Sequence, residues 1–261
     1  MTAPLLSIVT VTRNNAAGLS KTVASCGRFL SDSRVELVVV DGASTDETSS
    51  LLDALRARLG SSVVVLSEPD RGIYDAMNKG ISLVRGRHVI FMNAGDCFEE
   101  GFDVDLPSLQ ADTVYYGDSR FESVDGGFSK RYAIDSVDSF LNHNTFSHQA
   151  IFYPSALLRS VGGYDLSFAV SADFDLTLRC FLRAPFRSLH RIVCVCELGG
   201  FSHVNGWRSY QDRMRSFRVN GENRLCASLF LYAPVFFAKH QIVKKLDGSR
   251  ILAWYRSARN G

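Results

Sequence analysis

The sequence predicts an α/β fold, a mostly parallel sheet flanked by helices, and three observations predict it. Short continuous apolar runs bounded by turn residues, Leu5–Val11, Val35–Val40 and Val63–Leu66, have the length of buried strands. Segments between them space their apolar residues as helices do. The stretch Val89–Asp96 repeats the grammar of the second run: each passes from apolar residues to an acidic strand end, Asp41-Gly42 in one and Gly95-Asp96 in the other. Strands alternating with helices imply right-handed crossovers and a parallel sheet.

Taken in order, Leu5–Val11 is the first strand, broken by Thr12-Arg13-Asn14-Asn15 before a helix carrying Leu19, Val23 and Leu30. After the second strand, Ser44-Thr45-Asp46-Glu47 has the form of a capping box, in which Ser44 bonds the amide of Glu47 and Glu47 reaches back. Leu51, Leu52, Leu55 and Leu59 then follow at helical spacing. Beyond the third strand, Glu68-Pro69-Asp70-Arg71-Gly72 leads into a helix with Ala76, Met77, Gly80, Ile81 and Val84 on one face, and then into the strand at Val89. From Glu99 the pattern loosens: a strand at Thr113–Tyr116, a hairpin over Phe121–Arg131, helices at Ser155–Val161 and Asp173–Leu182, a strand at Ile192–Leu198 and one helix over Trp207–Leu231 are expected.

Composition bounds the function classes. The six cysteines are scattered with no CxxC pair, which points to a reducing compartment, free thiols and no zinc site. Met1–Val11 lacks a basic leader and no apolar run approaches membrane-spanning length, so a cytoplasmic protein is expected. The net charge of +2 is unevenly spread: residues 207–261 carry 11 Lys/Arg against 3 Asp/Glu. With Phe230, Tyr232, Phe236, Phe237, Trp254 and Tyr255 interleaved, this basic C-terminal extension suits peripheral contact with an anionic membrane surface, and not nucleic acid. The chain divides on this reading into residues 1–206 and a helical, basic and aromatic extension, 207–261.

Ligands of open α/β sheets bind beyond the carboxyl ends of the strands, where Asp41 and Asp96 fall. Neither GxGxxG nor GxxxxGK[ST] is present, so a bound phosphate needs another source of positive charge. Mg²⁺ or Mn²⁺ on Asp96, with Arg71 or Lys79, supplies it. Asp41 suits a hydrogen bond to a ribose or base. Asp173 opens a helical pattern, where Asp is also a favoured N-cap.

In order along the chain, Ser7–Asn14, Val38–Asp46, Glu68–Gly80, Phe91-Met92-Asn93-Ala94-Gly95-Asp96, His148-Gln149-Ala150 and Ser171–Leu176 resemble the motifs of the inverting nucleotide-sugar glycosyltransferases of family 2, which have the GT-A fold. The resemblance covers roughly residues 5–205 and looks most like the bacterial exopolysaccharide branch of the colanic-acid type. It implies that Thr10, Arg13 and Asp41 line a nucleotide pocket, that Asp70, Asp75 and Lys79 shape the donor side, and that Asp96, with Asn93 beside it, meets a Mn²⁺ or Mg²⁺ ion and the donor diphosphate. It also implies that Asp173 is the catalytic base, and that His148, Gln149 and His203 contact acceptor or diphosphate. The family's DxD acids are replaced by Asn93 and Gly95, and its Glu-Asp pair by Ala172-Asp173. The Gln-x-x-Arg-Trp motif of processive synthases is not supplied by Asn205-Gly206-Trp207-Arg208, so transfer of a single sugar is expected. The implied donor is a UDP-sugar, with a GDP-sugar as the alternative, and the acceptor a glycan or a polyprenyl-diphosphate-linked oligosaccharide at the cytoplasmic face of the inner membrane. Two other classes share the α/β layer: a sugar-phosphate nucleotidyltransferase, which would want a Gly-rich basic loop after the first strand, and a nonenzymatic nucleotide-sugar or glycan-binding protein.

Overall fold

In the computed structural model, which describes residues 3–123, 126–141, 146–197 and 206–246, four parallel strands form the first half of one nine-stranded sheet. They are β1 (Leu6–Thr12), β2 (Val35–Asp41), β3 (Val63–Ser67) and β4 (His88–Phe91). Every residue of β1, β2 and β4 is buried, because helices cover both faces, and this explains the continuous apolar runs. On one face α1 (Ala16–Ser25), α2 (Gly27–Leu30) and α3 (Thr48–Leu59) pack Leu19, Val23, Phe29, Leu52 and Leu55 on Ile8, Leu37 and Val39. On the other, α4 (Ile73–Leu83) packs Ala76, Met77 and Ile81 on Val9, Val38 and Val40. Gly80 permits this contact: a Cβ there would lie 2.5 Å from Val9 Cγ1.

The second half of the sheet is mixed. It comprises β5 (Cys97–Phe98), β6 (Val114–Ser123), β7 (Gly126–Lys130), β8 (Ile151–Pro154) and β9 (Phe186–Glu197), in the overall order β3-β2-β1-β4-β8-β6-β9-β5 with β7 paired to β6. β8 runs antiparallel between β4 and β6, so the parallel layer continues into the mixed one without a break. The strand expected at Thr113–Tyr116 extends to Ser123, held by a long parallel pairing with β9.

Several local expectations are corrected. The capping box does not form: the Ser44 hydroxyl donates to Asp41 and accepts from the Asn14 amide, and Glu47 caps nothing with its side chain. Asp46 instead accepts from the Thr48 amide at 3.0 Å. The strand beginning at His88 stops at Phe91, and residues beyond it run as an irregular segment along the end of β1, with Met92 N donating to Val9 O and Ala94 N to Val11 O. The single C-terminal helix is two, α7 (Gly206–Val219) and α8 (Asn223–Leu246), after α5 (Ser155–Ser160) and α6 (Ala172–Phe181). Gly221, at φ 84°, makes the break, in a left-handed conformation that glycine adopts without a Cβ penalty. Tyr210, Phe217, Leu225 and Leu229 share one buried cluster with Val9 and Phe91. The core therefore continues past residue 206 into the first turns of α8.

Candidate active site

The strand ends Thr12, Asp41 and Ser67 are level in register, and the loops leaving them are tied together. The Thr45 amide donates to Asn14 Oδ1 at 2.8 Å, and both Asn14 and Ala43 take positive φ, 49° and 55°. Asp41 is buried, its carboxylate accepting from the Ser44 amide and hydroxyl and, at 2.6 Å, from the Ser67 hydroxyl. It shapes the edge from within. Gly42 leaves room there: a Cβ would lie 2.3 Å from Asp70 Oδ2 and 3.2 Å from Arg13 Cδ, so Arg13 and Asp70 flank one recess. Arg13 is exposed. Thr10 lies lower in β1, fully buried, its Oγ1 without a hydrogen-bond partner among the described residues.

Lys79 and Arg71 are committed to their own loop. Lys79 Nζ donates to Pro69 O at 2.7 Å and pairs with Glu68 at 2.8 Å, and Arg71 pairs with Asp75 at 3.0 Å. The Arg71 amide and guanidinium hold the Asp75 carboxyl below its usual range. These residues brace the segment that carries Asp70.

Asp96 sits in a loop anchored from below by Thr22 of α1. The Thr22 hydroxyl lies 2.7 Å from Asp96 O and 3.1 Å from Asn93 O, both acceptors, and itself accepts from the Gly95 amide at 2.9 Å. From the opposite side Gln149 Nε2 donates to Asp96 Oδ2 at 3.0 Å, while Gln149 Oε1 accepts from the Ser147 hydroxyl. Gly95, at φ 110°, lets the loop turn sharply enough to do this. Asn93 is buried and its Oδ1 meets no donor among the described residues.

Asp173 lies in the first turn of α6, its side chain 31 % exposed. His148 Nδ1 is 3.5 Å from Asp173 Oδ2, and the Tyr74 hydroxyl is 3.3 Å from Oδ1 while donating to Val170 O at 2.6 Å. Burial alone would raise the Asp173 pKa; hydrogen bonding from His148, the Phe174 amide and Tyr74 outweighs it and holds the carboxyl below its ordinary value. Burial, aided by the same carboxylate, pushes Tyr74 well above the usual phenol range. Behind it, Arg213 of α7 is buried against the Phe174 ring at 4.5 Å and donates to Phe140 O at 2.6 Å. Burial lowers the Arg213 pKa to about 10, opposed by the Asp173 charge. Asp212 accepts from the amides of Val170 and Ser171 at 2.9 and 3.1 Å, fixing the entry to α6. Asp175 is a structural partner, bonded to Ser216 and Asn220 and paired with Arg179 at 2.7 Å.

The structure thus brings Asn93, Asp96, His148, Gln149 and Asp173 together and places Arg13, Asp41 and Asp70 along the neighbouring edge; His203 lies outside the described residues. Thr22, Tyr74, Asp212 and Arg213 escaped the sequence reading, because each acts through a partner 39 to 99 residues away whose position only the fold sets. The aromatic Tyr74, next to Gly72-Ile73, was the one with a visible signal.

Comparison with known proteins gives the family and the fold. Residues 7–158 match the model described as glycosyl transferase family 2. A "PGL/p-HBAD biosynthesis glycosyltransferase" of Mycobacterium bovis is 33% identical over 217 residues, spanning 78% of this chain and 81% of the relative. An uncharacterised glycosyltransferase of Mycobacterium tuberculosis is 31% identical over 208 residues, 76% of this chain and 77% of its own. Among solved structures, the S. aureus TarS fragment in complex with UDP-GlcNAc superposes with TM-score 0.63 at 16% identity, covering 87% of this chain and 71% of that one. The mannosyltransferase PcManGT of Pyrobaculum calidifontis, in complex with GDP-Man and Mn²⁺, gives 0.62 at 17%, covering 99% and 80%. At such identities these structures establish a shared fold, the GT-A arrangement, and the family model with the mycobacterial relatives establishes descent: the chain belongs to glycosyl transferase family 2.

Proposed function

We propose that the protein moves one sugar from a nucleotide sugar, a UDP-sugar in preference to a GDP-sugar, to a hydroxyl of a glycan or polyprenyl-diphosphate-linked oligosaccharide, with inversion, in bacterial surface or exopolysaccharide biosynthesis. The observation that carries this reading is the Asp173 carboxylate, 3.5 Å from His148 Nδ1, whose Nε2 lies 3.3 Å from Asn93 Nδ2 in the loop that bears Asp96. The acceptor oxygen attacks the anomeric carbon as its proton passes to Asp173. The bond from that carbon to the phosphate oxygen breaks, and its electron pair leaves with the nucleoside diphosphate. Arg13, Asp70 and the edge shaped by Asp41 suit the nucleotide end. The two structural neighbours, solved with UDP-GlcNAc and with GDP-Man, support a nucleotide-sugar donor without choosing the nucleotide.

The residues present fit a divalent cation. Among the described residues no group of three or more His, Cys, Asp or Glu side chains is gathered for a metal, but Mg²⁺ and Mn²⁺ in phosphate sites take one or two carboxylates and complete their shells from substrate and water. Asp96 would hold the ion, and the orphaned Asn93 Oδ1 is an oxygen that a cation or a donor hydroxyl would satisfy. The ion would offset charge growing on the leaving diphosphate. Nucleotide release is to be measured from a panel of UDP- and GDP-sugars with Mn²⁺, with Mg²⁺ and with EDTA. We expect release from one donor that EDTA abolishes and that Asp96→Ala lowers about 100-fold or more. Release that is indifferent to EDTA and to Asp96 would refute the metal role. Absence of both release and calorimetric donor binding would favour a nonenzymatic protein.

The same reading places the protein at the membrane surface. Phe230 and Leu231 on α8 are 67% and 79% exposed, and six of the extension's eleven Lys/Arg follow them in sequence. Among the described residues no helix is long and apolar enough to cross a bilayer. Truncation after about Leu225 would also remove the buried Leu229, so substitution is the cleaner test. Phe230→Asp with Leu231→Asp is expected to reduce flotation with vesicles containing anionic lipid while thermal unfolding stays unchanged. Undiminished flotation would remove the role of this face.

A further inference from the structure

Both ring nitrogens of His148 already face protein partners. Nδ1 lies 3.5 Å from Asp173 Oδ2, and Nε2 lies 3.3 Å from Asn93 Nδ2. An amide NH₂ can only donate, so Nε2 is the acceptor and the ring proton sits on Nδ1, directed at the carboxylate; this tautomer follows from the hydrogen-bond network. The Nδ1 separation is long, of the kind that shortens once substrate closes a site.

The residue's backbone is rigidly seated. His148, Gln149 and Ala150 form one tight 3-10 turn that runs straight into β8, a strand buried along its whole length between β4 and β6. From that turn, successive side chains reach two different carboxylates: Gln149 holds Asp96 and His148 approaches Asp173. Asn93, on the other side of the imidazole, belongs to the loop that Thr22 anchors together with Asp96.

We propose that His148 is a positioning residue: its imidazole joins the Asp173 carboxylate to the Asn93 amide, so that the base is aimed in register with the loop carrying Asp96, and it makes no direct contact with substrate. This rests on the transferase reading given above and assigns within it a task to a residue that the sequence alone offers as an acceptor or diphosphate contact. In the transfer step the acceptor proton passes to Asp173 while His148 keeps its own, neither gaining nor losing one. Its Nδ1–H occupies Oδ2, which leaves Oδ1, steadied by the Tyr74 hydroxyl, as the oxygen turned to the acceptor. The other groups facing Asp173 are the Phe174 amide and, through its charge, Arg213 from α7.

Three substitutions separate the two halves of the imidazole. His148→Asn places an amide near the Nδ1 position and keeps a donor for Asp173. His148→Gln places it near Nε2 and keeps only the link to Asn93, and His148→Ala removes both. Full-length protein labelled with [¹³C]aspartate is titrated without donor, with the Asp173 carboxyl assigned from its loss in Asp173→Asn. Nucleotide release is measured in parallel with UDP-GlcNAc and GDP-mannose as probes in Mn²⁺. The Asp173 midpoint is expected to rise in the Ala and Gln variants and to stay near wild type in Asn. The Ala and Gln variants are expected to lose about 10- to 100-fold in kcat, the scale of a misaligned catalytic group, with donor KM within about threefold of wild type. An Asp173 midpoint unmoved in both Ala and Gln overturns the proposal, and so does a raised donor KM with unchanged kcat, the signature of a substrate contact. Should His148→Ala fail to fold, the Asn and Gln pair still decides. Wild-type silence with both probes, beside a titration that moves as expected, would count against those donors and leave the positioning role standing.

Discussion

Asp173→Asn is expected to abolish turnover while leaving donor binding intact. Asn keeps the shape of the carboxylate and its oxygen can still accept from His148 Nδ1, but its NH₂ cannot accept from Tyr74 and the side chain cannot take the acceptor's proton. General-base catalysis contributes about 10²- to 10⁴-fold, so kcat should fall by at least that range, with the calorimetric dissociation constant of the donor within about threefold of wild type, since no contact to the nucleotide edge is altered. A variant that retains more than about a tenth of wild-type turnover would dismiss Asp173 as the base. The pH profile supplies a second check. The Asp173 carboxyl is lowered in the folded protein, against burial, chiefly by His148. It is therefore ionised throughout the neutral range, and its interactions add stability above the unfolded pKa, about 3.9 for Asp, that is lost as pH falls through the lower folded value. The acid limb of kcat/KM assigned to this group should accordingly lie below the ordinary carboxylate range, and the same limb should move upward in His148→Ala.

A large loss of stability without any change of chemistry is expected from Glu36→Ala. Glu36 begins β2 at the end of the sheet opposite the site and is 1 % exposed. Its Oε1 accepts from the Ser7 hydroxyl and the Arg85 amide, both at 2.6 Å, and from the Gly86 amide at 3.2 Å, while Oε2 pairs with the Arg85 guanidinium at 2.7 Å. One carboxylate thus satisfies the start of β1, the start of β2 and the turn into β4. Removing it leaves the buried Ser7 hydroxyl and the Arg85 amide without this acceptor, at about 1–3 kcal/mol for each buried group left unsatisfied, while the half-exposed Arg85 guanidinium turns to solvent. Urea denaturation should show the midpoint lowered with an unchanged slope, and the folded fraction should bind donor as before. Glu36→Gln, which keeps an acceptor at Oε1, should cost less than half as much. A drop below about 1 kcal/mol for the alanine variant would show that solvent replaces the lost acceptor.

Much of the first half was legible from residue order. Val35–Val40 and Leu5–Val11 read as buried strands because both faces of a parallel layer are covered, so no polar alternation is needed. Asp41 and Asp96 were found because they close apolar runs, and Asp173 because its neighbours fit an ordered set of motifs. Errors arose where a local signal met a longer-range competitor. Ser44 and Glu47 have the spacing of a capping box, yet the buried Asp41 carboxylate takes the Ser44 hydroxyl first. Trp207–Leu231 reads as one helix until Gly221 turns left-handed and Asn220 bonds Asp175 on α6.

The sequence by itself determined the alternation of strands and helices in the first half, which follows from apolar periodicity, and, through an ordered set of motifs that it resembles, the family. Tertiary structure alone decided what each acidic group does. Asp41 is turned into the protein by Ser44 and Ser67, Asp96 is steadied between Thr22 and Gln149, and Asp173 is held by Tyr74 and His148, 99 and 25 residues away. The reason is physical: a carboxylate's charge state and direction depend on burial and on donors within about 3 Å, and those neighbours are set by how the sheet brings distant loops to one edge.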